Sequence, residues 1–494
     1  MILCRQEKLA VRKPWLTSMH RPLFVFVCIL SSLFIAGPAS LQSSFAQTTE
    51  KNAPASVTLD QAIEAAKAHY PAIKAAKAQQ QAAQGAIGVA KTAYLPRTDL
   101  LWQTNRATAN NIYGLLLPQG VIPNISGPVI TSDVTRSAWS SAGGALLSWQ
   151  PFDFGVRSAR VTVAREGSEA AKQASALTTL DVTAAAGNAF LDLAVAQQLV
   201  TVTQANVRRN EAFDKTVHVL VDNSLRPGAD ASQADAQLAL AQNQLIQAQT
   251  QEAIHRSALA VYLQTPTGQV AIDASPLLKA SPPSDPDATD AKLHPSVLVE
   301  NALSLQQEAQ KRVLDRSYVP VFSTLGTISG RGAGTGLTGQ FPGGTAGLAP
   351  DTFNWAAGVQ VTFAALDFFD FREQKKVQDA NVQAERARYN LSLTNVSAAI
   401  EQARASLSGA RQIAANTPLE LSAAQASEQQ QQVRYRSGLA TVVDVASAEG
   451  VLALAEADDV IARLGIWRAE LGVVAAQGDL QPFLRMLQSQ AKGK

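Results

Sequence analysis

Few residues in this chain are spaced for covalent chemistry. The histidines beyond residue 46, His69, His218, His255 and His294, lie far apart in sequence, with no pair at i, i+4 and no carboxylate read at metal-site spacing. The run Gly330-Arg331-Gly332-Ala333-Gly334-Thr335-Gly336 lacks the Gly-Lys-Ser/Thr ending of a phosphate loop and opens no helix, so it reads as a surface loop. There is no Gly-x-Ser-x-Gly, and both cysteines, Cys4 and Cys28, fall near the start. No enzyme, metal or cofactor is expected. What remains is electrostatic: Asp444 after one turn, and Asp230 and Asp235 after another, where a carboxylate near a helix N-terminus is favoured by the helix dipole.

Those turns belong to two similar stretches. In Arg434-Tyr435-Arg436-Ser437-Gly438-Leu439-Ala440-Thr441-Val442-Val443-Asp444, a long polar helical run meets Gly438, whose freedom at positive φ ends a helix, and Thr441 then N-caps the next. Leu225-Arg226-Pro227-Gly228-Ala229-Asp230 has the same setting between Ala/Gln-rich runs. Each reads as the tip of a helical hairpin. Leu439 is an apolar knob at such a tip, with no obvious core of its own.

The first 46 residues read as an export signal: five basic residues, an apolar run from Leu23 to Ala36, and Ser44-Phe45-Ala46 before the cleavage point, with Met19 as an alternative start. A 14-residue apolar run is too short to span a bilayer, and Val27 argues against lipid attachment at Cys28. The remainder is close to neutral, which gives no reason to expect nucleic acid as a partner. Aromatics are sparse, Ala and Gln abundant, and no later run suits a transmembrane helix; helices packed through small residues fit better than a thick core.

Two halves recur. Pro71 opens a helical run ending at Tyr94-Leu95-Pro96, and Pro295 opens one ending at Tyr318-Val319-Pro320. Strand hairpins follow at 95–149 and 319–363. From Phe353 to Phe363 the odd positions, among them Trp355, Val359 and Val361, are apolar, whereas the even ones are polar or small; Trp139 and Trp149 bracket a similar strand. Such strands suit a barrel with lipid outside and water inside, with Trp139, Trp149, Phe353, Trp355 and Phe363 at the membrane interfaces. A soluble sheet with one buried face gives the same alternation. Four strands cannot close a barrel in lipid, so several chains must share one.

Long helices follow at 156–221 and 371–436, each about 99 Å if continuous. Ala234, Leu238, Ala241, Leu245 and Ala248, and Val445, Ala448, Leu452 and Ala455, form coiled-coil seams, while Pro418 predicts a kink or interruption. Residues 265–294, rich in Pro, Asp and Ser, read as an irregular linker.

The two-fold repeat, the paired Tyr-Leu-Pro and Tyr-Val-Pro exits and, above all, Tyr435 to Glu449 resemble the TolC-like outer membrane efflux protein family, from about Thr58 to Leu480. The resemblance implies an α+β membrane protein. Each chain of a homotrimer gives four strands to a twelve-stranded transmembrane barrel, and a long antiparallel helical barrel crosses the periplasm. Its domains would be a signal peptide at 1–46, a first repeat at 47–264 with its tip at 222–232, and a belt linker at 265–294. A second repeat at 295–480, with its tip at 434–445, and a C-terminal tail at 481–494 complete the chain. It implies an exit duct in the outer membrane of a Gram-negative bacterium, serving efflux or type I secretion with a periplasmic adaptor and an inner membrane pump.

By the same resemblance Tyr435, Asp444 and Asp230 belong to the gate, and Gly438, Leu439, Pro227 and Gly228 to the adaptor contact. Three copies of Asp444 about an axis would favour cations. The family's tip arginine falls on Ala440 and its second acidic ring on Ser447, so that latch and ring are missing or moved. A secreted coiled-coil scaffold without a pore is the other reading.

Overall fold

A computed structural model describes residues 56–108, 137–279, 289–335 and 342–492. The export signal with Met19, Cys4 and Cys28, most of the first strand-connecting loop and part of the linker lie outside the described residues.

Two helices lead in, α1 (Leu59–His69) and α2 (Pro71–Thr92). Pro71 at the first helical position costs no hydrogen bond there and separates the two. Strands β1 (Arg97–Thr108) and β2 (Ser137–Trp149) precede α3 (Val156–Asp222, 67 residues) and the returning α4 (Gly228–Leu263). The short α5 (Ser275–Lys279) lies in the linker. The order then recurs with α6 (Pro295–Asp315), β3 (Val321–Ala333), β4 (Thr352–Thr362), α7 (Phe368–Arg436, 69 residues) and α8 (Val442–Gln477). A last helix, α9, spans Gln481–Lys492. No helix among the described residues is long and apolar enough to cross a membrane.

Of the kink or interruption expected at Pro418, the interruption does not occur, since helix α7 runs through that residue. Pro418 removes the N–H that would bond the Ala414 carbonyl, but it sits on an exposed face where water can serve that carbonyl instead. The glycine-rich stretch from Gly330 is not loop at its start, since Gly330 to Ala333 complete β3. The glycines there admit a close approach: a Cβ on Gly332 would collide with the Ala349 carbonyl oxygen, and Asp351 N–H bonds the Arg331 carbonyl.

A conventional core also exists, although composition argued against one. It forms where α1, the middle of α3, the end of α4, the linker, the end of α8 and α9 converge. Trp467 is fully buried, donates its indole N–H to the Leu277 carbonyl at 3.0 Å and meets Phe483 edge-on. The tail thus contributes Phe483, Leu484 and Leu487 to this core. Burying one such Leu or Phe stabilises by about 1.5–3 kcal/mol, so this is where the long helices are anchored.

Sheet and helices are joined at buried Arg157, in the first turn of α3. Its guanidinium bonds Asp153 (3.0 Å), the Ala93 carbonyl (3.1 Å) and the Gln150 carbonyl, and lies over the Tyr94 ring. One side chain therefore fixes the exit of α2, the end of β2 and the start of α3.

Candidate functional site

The four strands form one antiparallel sheet in the order β1-β2-β3-β4. Register aligns Leu100, Ala145, Ile328 and Trp355 in one row across all four strands. Neighbouring rows place Trp102 on β1, Leu147 and Trp149 on β2 and Phe353, Val359 and Val361 on β4 on that same face. Leu100 is 81% exposed, Ile328 69% and Trp355 80%. The opposite face carries Asp99, Gln103, Asn105, Ser140, Thr327, Arg331, Asn354 and Gln360, with Leu101, Ala142, Leu146 and Leu325 among them. A soluble sheet would bury its large apolar side chains; this one exposes Leu100, Trp102, Ile328, Phe353 and Trp355 and turns most of its polar residues the other way.

The interface aromatics divide. Phe353, Trp355 and Phe363 are exposed, and Phe363 joins Tyr318 (5.2 Å between ring centres) where β4 leads towards α7. Trp149 is also exposed, and its indole N–H donates to the Tyr94 carbonyl at 3.1 Å. Trp139 is half-buried, with the Arg106 guanidinium over its ring. Strands β1 and β4 leave one edge each unpaired within the chain.

At the other end of the long helices, each tip closes with the same hydrogen bonds. In α7 the Leu439 N–H bonds the Arg434 carbonyl (2.8 Å) and the Gly438 N–H bonds Tyr435 (3.0 Å), with Gly438 at φ +77°. In α3 Leu225 bonds Leu220 and Ser224 bonds Val221, both at 2.8 Å, and Ser224 takes the left-handed position at φ +58°. Both are Schellman closures.

Tyr435 is fully buried between the tips. Its ring meets Phe213 of α3 edge-on at 5.3 Å, and the Arg226 guanidinium lies 4.5 Å over it. Arg226 also donates to the Tyr435 carbonyl at 2.7 Å, one of the last carbonyls of α7. Cation–π attraction and the negative end of a helix dipole thus act on one guanidinium. Sequence reasoning sought a tip arginine at residue 440 and missed this one, on the other tip. Burial, and then the Asp230 carboxylate, push the Tyr435 phenol pKa up; its hydroxyl has no hydrogen bond of good geometry.

Asp230 and Tyr435 are therefore brought together, but Asp444 is not with them. Asp444 is exposed and completes a capping box: its carboxylate accepts from the Thr441 N–H and hydroxyl, both at 2.7 Å, and its own N–H bonds Thr441 Oγ1 at 3.3 Å. Those bonds, and more weakly Arg434, hold its pKa below the usual value. Leu439 and Leu225 are exposed, Pro227 and Gly228 lie on the surface, and a Cβ on Gly228 or Gly438 would meet nothing.

One expectation about metal-site spacing is overturned. Asp214 stands four residues before His218 on α3, and Asp235 of α4 comes to 3.1 Å from His218 Nε2, so the three ligand atoms lie within 4.8 Å of one another. The hydrogen bond to Asp235, and then the charges of Asp214, Asp235 and Asp222, raise the His218 pKa, which is the pattern of an ion pair linking the two helices. Close by, Arg209 makes a bidentate pair with Glu456 (3.1 and 2.8 Å), tying α3 to α8.

Residues 62–264 match the family described as Outer membrane efflux protein. Among solved structures, the outer-membrane channel OprN superposes with a TM-score of 0.69 at 18% identity, over 85% of this chain and 89% of its own. VceC of Vibrio cholerae gives 0.68 at 19% identity over 85% and 96%. The CmeC outer membrane channel of Campylobacter jejuni gives 0.69 at 15% over 90% and 94%. No curated protein matches in a sequence comparison. The resemblance read from the sequence thus holds: through residues 62–264 the chain matches the outer membrane efflux protein family, and most of its length has the fold of those channels.

Proposed function

We propose that this chain is one protomer of a trimeric outer membrane exit duct, built as an internal two-fold repeat. The observation that carries this reading is the sheet: a face of exposed large apolar side chains, an opposite face with most of the polar ones, and two unpaired edges. Unpaired strand edges are not tolerated in lipid, and four strands are too few to close alone. Joining β1 of one copy to β4 of the next satisfies both edges, puts Leu100, Ile328 and Trp355 in lipid and turns Gln103, Asn354 and Gln360 to a water-filled lumen. A coiled-coil scaffold accounts for the helices and leaves that apolar face unexplained.

Transport is then passive, with no bond made or broken. The tips gate the far end, Tyr435 with Arg226 holding one hairpin on the other, and three Asp444 carboxylates bias the entrance towards cations. Leu439, Gly438, Pro227 and Gly228 form the surface for a periplasmic adaptor, which links the duct to an inner membrane pump for efflux or type I secretion.

Single-channel recording of the purified protein in planar bilayers tests this. Cation-selective conductance, blocked by a trivalent cation from the tip side in wild type and not in Asp444→Ala, is expected. Conductance with identical block in the variant removes the Asp444 ring and leaves the duct. Folded protein that forms no channel returns the scaffold reading.

A further inference from the structure

One carboxylate near the tips is enclosed with little to hold its charge. Glu449 lies two turns into α8, only 2% exposed, and its carboxylate oxygens are shielded from solvent and make no hydrogen bond of good geometry, the Gln432 amide being the nearest donor. Every packed element contributes to its surroundings. From α7, Glu428 faces it with Gln432, whose amide bonds Glu428. From α3 comes Arg209, whose terminal nitrogens are both engaged by Glu456 of α8 and whose Nε is itself unpartnered. From α4, across a cavity of about 420 Å³, come the uncharged Gln237, Leu240, Ala241 and Gln244. Three carboxylates therefore share one guanidinium, and only one of the three is paired with it. An ionised, unpaired buried carboxylate is costly, and a neutral one far less so.

We infer that Glu449 is a proton-operated wedge between the two helical hairpins: neutral while α8 packs on α3, ionised and hydrated when the hairpins part. This rests on the gating reading above. Ionisation sets three negative charges, all on α7 and α8, against the single Arg209 of α3; their repulsion loosens α7 from α8, and what parts α8 from α3 is the hydration that the buried charge demands, against the attraction of Arg209. The cavity beside Glu449 gives water a place to enter. Burial first, then Glu428, pushes the Glu449 pKa up to about 7, so the exchange falls near neutral pH. The sign follows: the parted state loses its proton first, and rising pH favours parting until the packed state has also ionised.

The test uses the full trimeric protein in detergent, with Cys4 and Cys28 replaced by serine. Infrared titration of the protonated carboxyl band, as the difference between wild type and Glu449→Gln, should show a midpoint near 7; a midpoint at an ordinary carboxylate value overturns the proposal. Spin labels at Leu225→Cys and Leu439→Cys should report a tip separation that lengthens as pH rises from 4.5 to about 7 in wild type and stays short in Glu449→Gln. Equal lengthening in both, or none in either, also overturns it. Neither readout needs a conducting pore, so failure of the duct reading in bilayers is seen separately.

Discussion

The two helix tips solve one problem with different residues. Both end a long helix by a Schellman closure, but α7 uses Gly438 at the left-handed position and α3 uses Ser224, which bears the Cβ penalty there. The second tip adds a capping box through Thr441 and Asp444, whereas α4 starts from Pro227 with no side-chain cap. In return the first tip supplies Arg226, which covers Tyr435 and binds the end of α7. The second tip is self-sufficient in its turn and the first is the clamp. Under the gating proposed above, Arg226 can leave Tyr435 while each tip keeps its own Schellman closure.

The contrast can be broken in order of expected effect. Tyr435→Ala removes a buried aromatic that meets Phe213, Arg226 and Asp230 together, and should cost about 3–5 kcal/mol of local stability, read as lost hydrogen-exchange protection at both tips. Glu449→Gln should raise the thermal midpoint at pH 8 and leave it unchanged near pH 4. Its folded pKa of about 7 lies above the unfolded value of 4.5, so wild type loses stability as pH rises through that window and the variant has no proton to lose. Gly438→Ala should cost about 1 kcal/mol through its positive φ, measured as faster exchange in the last turn of α7. Ser224→Gly should do the reverse, a gain of under about 1 kcal/mol at the first tip. Asp444→Asn should have the smallest effect of the five, and that effect is present near neutral pH. The wild-type carboxylate, held below 3.8, contributes above that value and loses its contribution as pH falls through the folded pKa, so the two proteins should converge in acid.

Much of this was legible in the sequence because the physics is local. Gly438 and Thr441 announce a helix end and a helix start within four residues, and the alternation from Phe353 to Phe363 reports a strand with two unlike faces. β1 and β3 hid the same pattern, since Leu100, Trp102 and Ile328 look irregular until register aligns them with Trp355. Arg226 was illegible as a partner of Tyr435, 209 residues away, because only the packing of one hairpin on the other brings them together. The Asp214 and His218 spacing stands in the sequence, but the role of the pair depends on Asp235 arriving from α4. Glu449 reads as one more carboxylate on a helix that carries several, and its burial is a property of three helices at once.

The shared barrel is the central claim, and edge-to-edge cross-linking tests it most directly. Cysteines at Gln103→Cys in β1 and along β4 at and around Gln360→Cys, with Cys4 and Cys28 removed, sit on opposite edges of one sheet and cannot meet within a chain. Oxidation in native membranes should give a ladder that ends at the covalent trimer for the β4 positions in register. A ladder that stops at the dimer, continues past three, or never forms from folded protein contradicts the closed three-chain barrel.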